Sequence, residues 1–310
     1  MTTLNFLLAH AVARTLEPGD EIVVTELDHD ANIAPWLRVA GDHDLVVRTA
    51  PVRPDATLDV DALEALIGDR TRIVAFTLAS NATGTITDAP RIVRAAHDAG
   101  ALAWADAVHL APHRRPDRAA LGVDVLLCSP YKFFGPHLGI AAIRRDLAET
   151  WPADRVRPAS ESPPGHRFET GTPSFEALAG LVATVDYLRS LGDGLDDAYA
   201  RVRAHEEALS RAVLERLAGL DAVTVHGVAE PARVAERTPT FCFTVAGRTP
   251  RAVSEHLAER GIFTYDGNYY ALALMEALGL EANGGAVRAG FLHYNTAAEA
   301  ERLCDALSAL

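Results

Sequence analysis

The sequence predicts an α/β fold in which a mostly parallel, doubly wound sheet is followed by a smaller α+β domain. In the first half, short apolar strand-like segments alternate with amphipathic helical segments, which is typical of a parallel sheet covered on both faces. After Gly192 the order becomes less regular and strands mix with helices. We therefore predict a large domain over residues 1–192 and a small domain over residues 193–310.

Apolar runs bounded by polar or turn residues predict six strands in the first half. They cover residues 21–25, 45–48, 72–77, 101–105, 123–127 and 139–143. The helices predicted between them cover residues 4–15, 59–67 and 89–99. The last of these has the clearest ends, because Asp88 can cap it, Pro90 suits its first turn and Gly100 can end it.

The second half begins with a segment rich in proline and small polar residues, residues 151–173. Apolar periodicity then predicts two long helices, over residues 175–190 and 195–217, with Gly192 and Gly194 between them. Strands are predicted at residues 222–226, 240–245, 262–264 and 286–289, and helices at residues 251–260 and 297–310. This mixture indicates the small α+β domain.

Composition excludes several classes of partner. Acidic residues outnumber basic ones 42 to 29, and the net charge of −13 argues against a nucleic-acid or anionic-membrane partner. The three cysteines are far apart and form no CxxC motif, so we expect no disulfide framework and no zinc site, and a reducing cytoplasm as the location. No apolar run reaches the ~18 residues that a membrane helix needs.

The start of the chain is unusual for this fold class. The first residues show a helical pattern, whereas a parallel sheet usually begins with a strand. We therefore expect that an N-terminal segment of the large domain is missing.

Polar residues follow four of the predicted strands where each strand ends. Carboxyl ends of parallel strands meet at one edge of the sheet, and open α/β sheets bind their ligands there. The sequence thus predicts a functional site built from His29, Asn81, Asp106, His109 and the segment from Ser129 to Lys132.

Lys132 and Asp106 together indicate a pyridoxal phosphate (PLP) site. Lys132 stands among aromatic neighbours, and a desolvated lysine loses its proton more easily, so its neutral amine can form a Schiff base with an aldehyde. Asp106 ends an apolar strand, where a carboxylate needs a partner such as a protonated pyridine nitrogen. Taken alone, Lys132 is better explained as a surface lysine on a loop. Asp106 alone fits a helix N-cap as well as it fits a cofactor site.

Further residues have a functional and a structural interpretation. Ser129 and Thr172 can hold a phosphate or simply form turns, and Arg288 suits a substrate carboxylate or the surface of an edge strand. His109 and His113 are four residues apart, but the third ligand of a zinc site is missing, so we predict no metal. We expect His109 to contact the cofactor and His113 to be structural. No P-loop or dinucleotide-binding glycine motif occurs.

The motifs as a set resemble a known family. The runs are LDHDANIAPW (residues 27–36), SNATGT (80–85), DAVH (106–109), SPYK (129–132), FETGTP (168–173) and YNT (294–296). In this order they resemble the PLP-dependent class V aminotransferases of fold type I, in the cysteine desulfurase-like branch. The resemblance covers essentially the whole chain and implies the PLP transferase fold for the large domain.

The resemblance implies a role for each residue of the predicted site. Lys132 would carry the Schiff base, Asp106 would pair with the pyridine nitrogen, and His29 would stack on the ring. Asn81 and His109, the latter in place of the family's usual glutamine, would approach the ring oxygen. The phosphate would be bound by Ser129, by Tyr131 in place of a histidine, and by Thr2 at the start of the first helix.

The resemblance also implies a partner and a substrate site. Thr172 would reach the phosphate of the neighbouring subunit's cofactor, which implies a homodimer, and Arg288 would bind the substrate carboxylate. Desulfurases place a nucleophilic cysteine on a small-domain loop that matches residues 266–271 here. Tyr270 stands near that position, and none of the three cysteines lies on the loop.

We therefore expect a cytoplasmic, homodimeric PLP enzyme that acts on a small amino acid without a thiol of its own. Lyase, epimerase and transaminase reactions all satisfy this condition, with the freed Lys132 as general base. Two alternatives remain open at this stage. One is a non-catalytic relative that keeps the fold as a binding or regulatory module. The other is a cysteine desulfurase that uses an external thiol.

Overall fold

The computed structural model describes all 310 residues and contains two sheets. The first sheet has the order β2-β1-β3-β4-β5-β6, and all its neighbouring strands are parallel except β5 and β6. This confirms the predicted mostly parallel sheet. Its strands are β1 (Glu21–Thr25), β2 (Val46–Ala50), β3 (Thr71–Thr77), β4 (Leu102–Asp106), β5 (Val125–Cys128) and β6 (Ile140–Ile143).

Seven helices accompany the first sheet. They are α1 (Thr2–Ala13), α2 (Ala34–His43), α3 (Val60–Leu66), α4 (Ala89–Asp98), α5 (Arg118–Leu121), α6 (Arg145–Thr150) and α7 (Phe175–Ser190). The predicted cap of α4 is present, because the Asp88 side chain accepts a hydrogen bond from the amide of Arg91. The sequence patterns did not predict α2, α5 or α6. None of the helices combines the length and the apolar character that crossing a bilayer requires.

Alternate residues of the strands pack on opposite faces of this sheet. Val23 and Phe76 belong to a core that includes the inner faces of α3 and α4. Ile22 and Ile73 belong to a second core, shared with α1 and α2. A central parallel strand is buried on both faces, which explains the continuous apolar runs in the sequence. The doubly wound arrangement is therefore confirmed.

The second sheet is antiparallel, with the order β7-β8-β10-β9. It forms a third core with α8, α9 and α11, in which Phe241 and Phe243 are fully buried. Its elements are α8 (Leu195–Leu217), β7 (Val223–His226), β8 (Thr240–Val245), α9 (Pro250–Ala258), β9 (Tyr265–Gly267), α10 (Leu272–Ala277), β10 (Ala286–Gly290) and α11 (Ala297–Ser308). Both long helices, α7 and α8, have the predicted bounds. The division at residue 192 falls between them and stays a prediction.

One predicted strand is wrong. Residues 262–264 connect α9 to the sheet, because the amide of Ile262 bonds to the Leu257 carbonyl and closes the helix end. Phe263 is 87% exposed, so its apolar character does not reflect burial in a strand. The strand begins at Tyr265, which pairs with Arg288 of β10. Its position follows from pairing with a distant strand, which a local apolar pattern does not reveal.

Candidate functional site

A cavity of about 860 Å³ lies at the carboxyl edge of the parallel sheet, and residues of the small domain complete its wall. Nine of the ten predicted site residues line it: Thr2, His29, Asn81, Asp106, His109, Ser129, Tyr131, Lys132 and Arg288. Thr172 is not among the lining residues and is exposed shortly before α7. Its predicted contact with a neighbouring subunit stays a prediction.

Lys132 is the only lysine in the chain, and the other 28 basic residues are arginines. Its amine makes no hydrogen bond or ion pair within the chain and lies 5.3 Å from the centre of the Tyr131 ring. Burial lowers the pKa of this amine, the charge of Arg288 lowers it further, and Asp106 opposes both effects. The structure therefore favours release of a proton from the one basic side chain that can act as a nucleophile.

A tight turn after β5 presents this lysine. Ser129 precedes a short 3-10 helix (Pro130–Phe133), and Phe134 then adopts a left-handed conformation with φ of 73°. Gly135 packs so closely on α7 that a Cβ atom there would lie 2.9 Å from the Thr184 hydroxyl oxygen. The absence of a side chain at position 135 thus lets the lysine turn rest against α7.

Asp106 is the last residue of β4 and is 3% exposed. One carboxylate oxygen accepts a 2.7 Å hydrogen bond from the amide of Val108, and the other oxygen has no partner in the chain. Burial raises the pKa of Asp106 to about 6, and this hydrogen bond and the nearby positive charges oppose the shift. The group is therefore mostly ionised at neutral pH, and a buried carboxylate with a single hydrogen bond calls for a cationic partner.

A second buried carboxyl group, Asp28, lies close enough to Asp106 to interact with it electrostatically. It bonds to the Thr25 hydroxyl and the Asn32 amide, and burial raises its pKa to about 8. Asp28 is thus mostly neutral at pH 7, which leaves the negative charge on Asp106. The sequence pattern does not distinguish Asp28 from an ordinary loop residue, although it stands one residue before His29.

His29 and His109 are both uncharged in this cavity. The Nδ1 atom of His29 accepts a 3.0 Å hydrogen bond from the amide of Ala31, which assigns the ring proton to Nε2. Burial lowers the pKa of His29 to about 4 and holds that of His109 well below its usual range. His109 Nε2 lies 3.2 Å and 3.1 Å from the hydroxyl oxygens of Thr238 and Thr240. Neutral rings held in this way suit stacking on, and hydrogen bonding to, a planar ligand.

Asn81 and Arg288 form the boundary between the two domains at the cavity. Asn81 donates from its side-chain amide to the Tyr269 carbonyl at 2.9 Å, while its own Oδ1 is buried without a donor. Arg288 donates to the Asn81 carbonyl at 2.8 Å and lies 4.7 Å from the centre of the Tyr269 ring. Its strand, β10, lies between β8 and β9, so the alternative of a surface arginine on an edge strand is wrong. The guanidinium forms no ion pair and is free to bind an anion.

The remaining histidine of the DAVH region has a partner of its own. His113 is buried, and its Nδ1 lies 3.0 Å from a carboxylate oxygen of Glu206 on α8. This contact ties the large domain to the small one, which accounts for His113 without a metal. The small domain also contributes Tyr265, Tyr269, Tyr270 and Glu281 to the cavity wall. Of these four residues, the sequence indicates a functional position only for Tyr270, because it lies on the loop that matches the family's cysteine loop.

The unsatisfied groups of the cavity fit PLP. Asp106 forms no ion pair, Asn81 Oδ1 lacks a donor and Lys132 has a free amine, which match a pyridinium nitrogen, a ring hydroxyl and an aldehyde. The Ser129 hydroxyl makes no hydrogen bond within the chain, and α1 begins at Thr2 on the cavity wall. A hydroxyl and a helix N-terminus are suitable groups for a phosphate.

The mostly parallel sheet, the small domain and the lysine at a strand end define a protein of the fold-type I, PLP-binding class. The family model described as aminotransferase class-V matches residues 1–303. The chain therefore belongs to the class-V aminotransferase family.

Similar proteins point to the cysteine desulfurase-like branch of this family. A probable cysteine desulfurase of Pseudomonas putida is 34% identical over 312 residues, which cover 97% of this chain and 74% of that protein. A probable cysteine desulfurase of Mycolicibacterium paratuberculosis is 34% identical over 304 residues, covering 94% of this chain but 42% of that protein. The chain thus spans only part of the length of these relatives.

Solved structures show the same likeness. The apo structure of a cysteine desulfurase from Thermococcus onnurineus has a TM-score of 0.89 at 27% identity, covering 99% of this chain and 76% of that one. The cysteine desulfurase CsdA from Escherichia coli has a TM-score of 0.87 at 28% identity, covering 98% and 75%. Both confirm the fold predicted from the sequence.

Proposed function

We propose that this protein is a PLP-dependent enzyme that binds its cofactor covalently through Lys132 and acts on a small amino acid. The observation that carries the proposal is the single lysine. The chain has 28 arginines and one lysine, and this lysine lies at the edge of the sheet where an aldehyde would bind. Arginine cannot lose its proton and so cannot replace an amine nucleophile.

When bound, the PLP ring serves as an electron sink for the substrate's Cα. Asp106 supplies the negative charge that keeps a proton on the pyridine nitrogen. The neutral His29 ring would stack on the cofactor ring, and Ser129, Tyr131 and Thr2 would hold its phosphate. These contacts orient the reacting atoms, which is the main contribution that the protein makes to a cofactor reaction.

Arg288 and Lys132 act on the substrate. Arg288 would bind the substrate carboxylate with its planar fork of donors, and the guanidinium packs over the face of the Tyr269 ring. Partial desolvation and the charge of Arg288 lower the pKa of the Lys132 amine, so this amine would be able to accept the proton from Cα of the substrate. His29 and His109 remain neutral and do not compete for this proton.

The cysteines support a reaction that needs no thiol from this chain. All three are buried and unpaired, the state that a reducing cytoplasm maintains, and none of them lines the cavity. Burial raises the pKa of Cys128 to about 11 and that of Cys242 to about 12, so neither supplies a thiolate. We therefore place the reaction among lyase, epimerase and transaminase chemistries.

Reconstitution with PLP tests the proposal. We expect a visible absorption band on adding PLP, and borohydride reduction should attach the cofactor to the peptide that contains Lys132. Individual amino acids should then change the band, and assays for a keto acid, sulfide or inverted amino acid should identify the reaction. A protein that stays colourless with PLP contradicts the proposal. A coloured protein that turns over none of the amino acids supports the non-catalytic alternative.

We also propose that the protein is a homodimer joined in part through α7. Phe175, Leu178 and Val182 lie three and four residues apart, on one side of this helix, and are 66%, 42% and 63% exposed. Such an apolar stripe on a helix marks an interaction surface. Thr172 is exposed just before it, where the resemblance predicts a contact with the partner's phosphate site.

Val182→Glu is expected to convert the dimer into a monomer, because it places a charge within the apolar stripe. Sedimentation velocity on the wild type and the variant measures the change. Arg189→Ser, at an exposed position of the same helix, is the matched control and should remain dimeric. If Thr172 acts across the interface, Val182→Glu should also weaken PLP binding. A monomeric wild type at micromolar concentration would show that the stripe serves another purpose.

A further inference from the structure

The turn between β9 and α10 has an unusual backbone. Tyr269 and Tyr270 have φ values of 57° and 59°, so two consecutive residues with side chains occupy the left-handed region. Glycine or asparagine adopts this conformation far more readily than tyrosine does. Strain of this kind persists only where the surroundings impose it, and it is concentrated at functional sites.

Hydrogen bonds to the large domain impose this strained conformation on the turn. The amide of Asp30 donates to the Tyr270 carbonyl at 2.7 Å, and the Asn81 side chain donates to the Tyr269 carbonyl at 2.9 Å. Within the turn, Asn268 Oδ1 accepts from the amide of Tyr270 at 3.1 Å. Asp30 follows His29 directly. The strained turn is therefore attached to the segments that hold two of the residues proposed to bind the cofactor.

The side chains of Tyr269 and Tyr270 make different contacts. The Tyr269 ring supports Arg288, and its hydroxyl donates to the Ala286 carbonyl. The Tyr270 ring is 74% exposed, and its centre lies 5.6 Å from that of the His29 ring at an angle of 32°. Its hydroxyl has no partner within the chain, and the residue lines the same cavity as Lys132 and Arg288. Tyr270 thus adds little to the core, and its hydroxyl, at the wall of the cavity, is not engaged by another residue of the chain.

We propose that Tyr270 determines substrate specificity, by hydrogen bonding to a polar group on the side chain of the amino acid whose carboxylate lies at Arg288. The substrate class is an amino acid with a side-chain hydroxyl, thiol, amide or carboxyl group. This inference rests on the proposed function, because it takes Arg288 as the carboxylate site and PLP as the neighbour of His29. A residue kept only to form the turn would not be a tyrosine, since glycine forms the same turn without strain.

Pairs of amino acids of similar shape test the inference on the PLP-loaded protein. Serine and alanine, threonine and valine, and asparagine and leucine are titrated while the cofactor absorption is followed. We expect the wild type to bind the polar member at least about tenfold more tightly in at least one pair, the effect of one hydrogen bond at the upper end of its usual range. Tyr270→Phe should bring the ratio of the two affinities close to one, because it weakens binding of the polar amino acid and leaves binding of the apolar one unchanged.

Tyr269→Phe is the matched control, with the same chemical change one residue earlier. It removes a hydroxyl that bonds to the backbone, so it should lower the unfolding midpoint and leave the ratio unchanged. Tyr270→Gly should lose the selectivity without lowering the midpoint, because glycine relieves the left-handed strain; an increase of about 2 °C is expected. A purely structural tyrosine would give the reverse, a lower midpoint with selectivity retained.

The outcomes separate this inference from the proposed function. If the wild type loads PLP and binds amino acids, but Tyr270→Phe keeps the wild-type ratio in every pair, the role of Tyr270 is overturned and the PLP assignment stands. A Tyr270→Gly variant that unfolds at a clearly lower temperature also overturns it. A wild type that binds no PLP overturns both.

Discussion

Lys132→Ala is expected to abolish covalent binding of PLP and to lower turnover by at least about a thousandfold. The lysine has two functions, as the amine that holds the aldehyde and as the base that accepts the Cα proton, and a positioned base alone contributes about 10²–10⁴-fold. Because no other lysine exists in the chain, no second side-chain amine can take its place. Mass spectrometry after borohydride reduction should show one cofactor per wild-type chain and none on the variant.

The controls for this prediction separate loss of chemistry from loss of structure. The Lys132 side chain is exposed to the solvent of the cavity and makes no hydrogen bond, so the variant should unfold within a few degrees of the wild-type apo protein. Lys132→Arg keeps a positive charge beside Asp106 and should be as inactive as the alanine variant. Added methylamine should restore part of the activity to Lys132→Ala, since it supplies a free amine. A cofactor found on the wild type anywhere except Lys132 would contradict the assignment.

The sequence predicted most of the site because strand ends in a parallel sheet share an edge. His29, Asn81, Asp106 and Lys132 each follow a strand that an apolar run identifies, and the sheet then brings them together without further information. The strand β9 was misplaced and the turn after it was not predicted. The bond from Asn81 to the Tyr269 carbonyl joins residues 188 positions apart, and no local pattern encodes such a contact.

The carboxyl group of Asp28 shows a second limit of sequence reasoning. Its type and position suggest an ordinary polar loop residue. Its raised pKa comes from burial among Thr25, Asn32 and the neighbouring Asp106, which depends on how the segment after β1 folds back on the sheet. Polar residues enclosed in this way become visible only when the packing around them is known.

Asp106→Asn is expected to lower turnover and, at the same time, to raise the stability of the protein without cofactor. Asp106→Asn should lower turnover by roughly 10²–10³-fold, because an amide cannot keep a proton on the pyridine nitrogen and the buried ion pair is lost. The same change should stabilise the protein without cofactor. In the folded state burial raises the pKa of Asp106 to about 6 from its ordinary value of 3.8. The folded protein therefore holds this proton more tightly than the unfolded chain does, and its stability falls as the pH rises from about 4 to about 6.

Above that window the wild-type apo protein carries the full cost of a buried, unpaired carboxylate, on the order of 1–3 kcal/mol. Asparagine can still accept the hydrogen bond from Val108 and does not carry this cost, so at pH 7 the variant should have the larger free energy of unfolding in urea. Saturating PLP should reverse the order, since the wild type gains the ion pair and the variant does not. A variant that is less stable than the wild type without PLP would show that Asp106 already has a cationic partner in the protein.

The pH dependence of PLP binding isolates the same group. Wild-type affinity should fall as the pH drops through about 6, because protonation of Asp106 removes the charge that attracts the pyridinium. The phosphate of PLP also titrates near this pH, but it does so equally for the variant. His29 and His109 stay neutral across this range. The ratio of wild-type to variant affinity should therefore rise by about tenfold when fluorescence titrations are made from pH 5 to 7, below the pKa of about 8 of the neighbouring Asp28. A constant ratio would place the pyridine nitrogen away from Asp106.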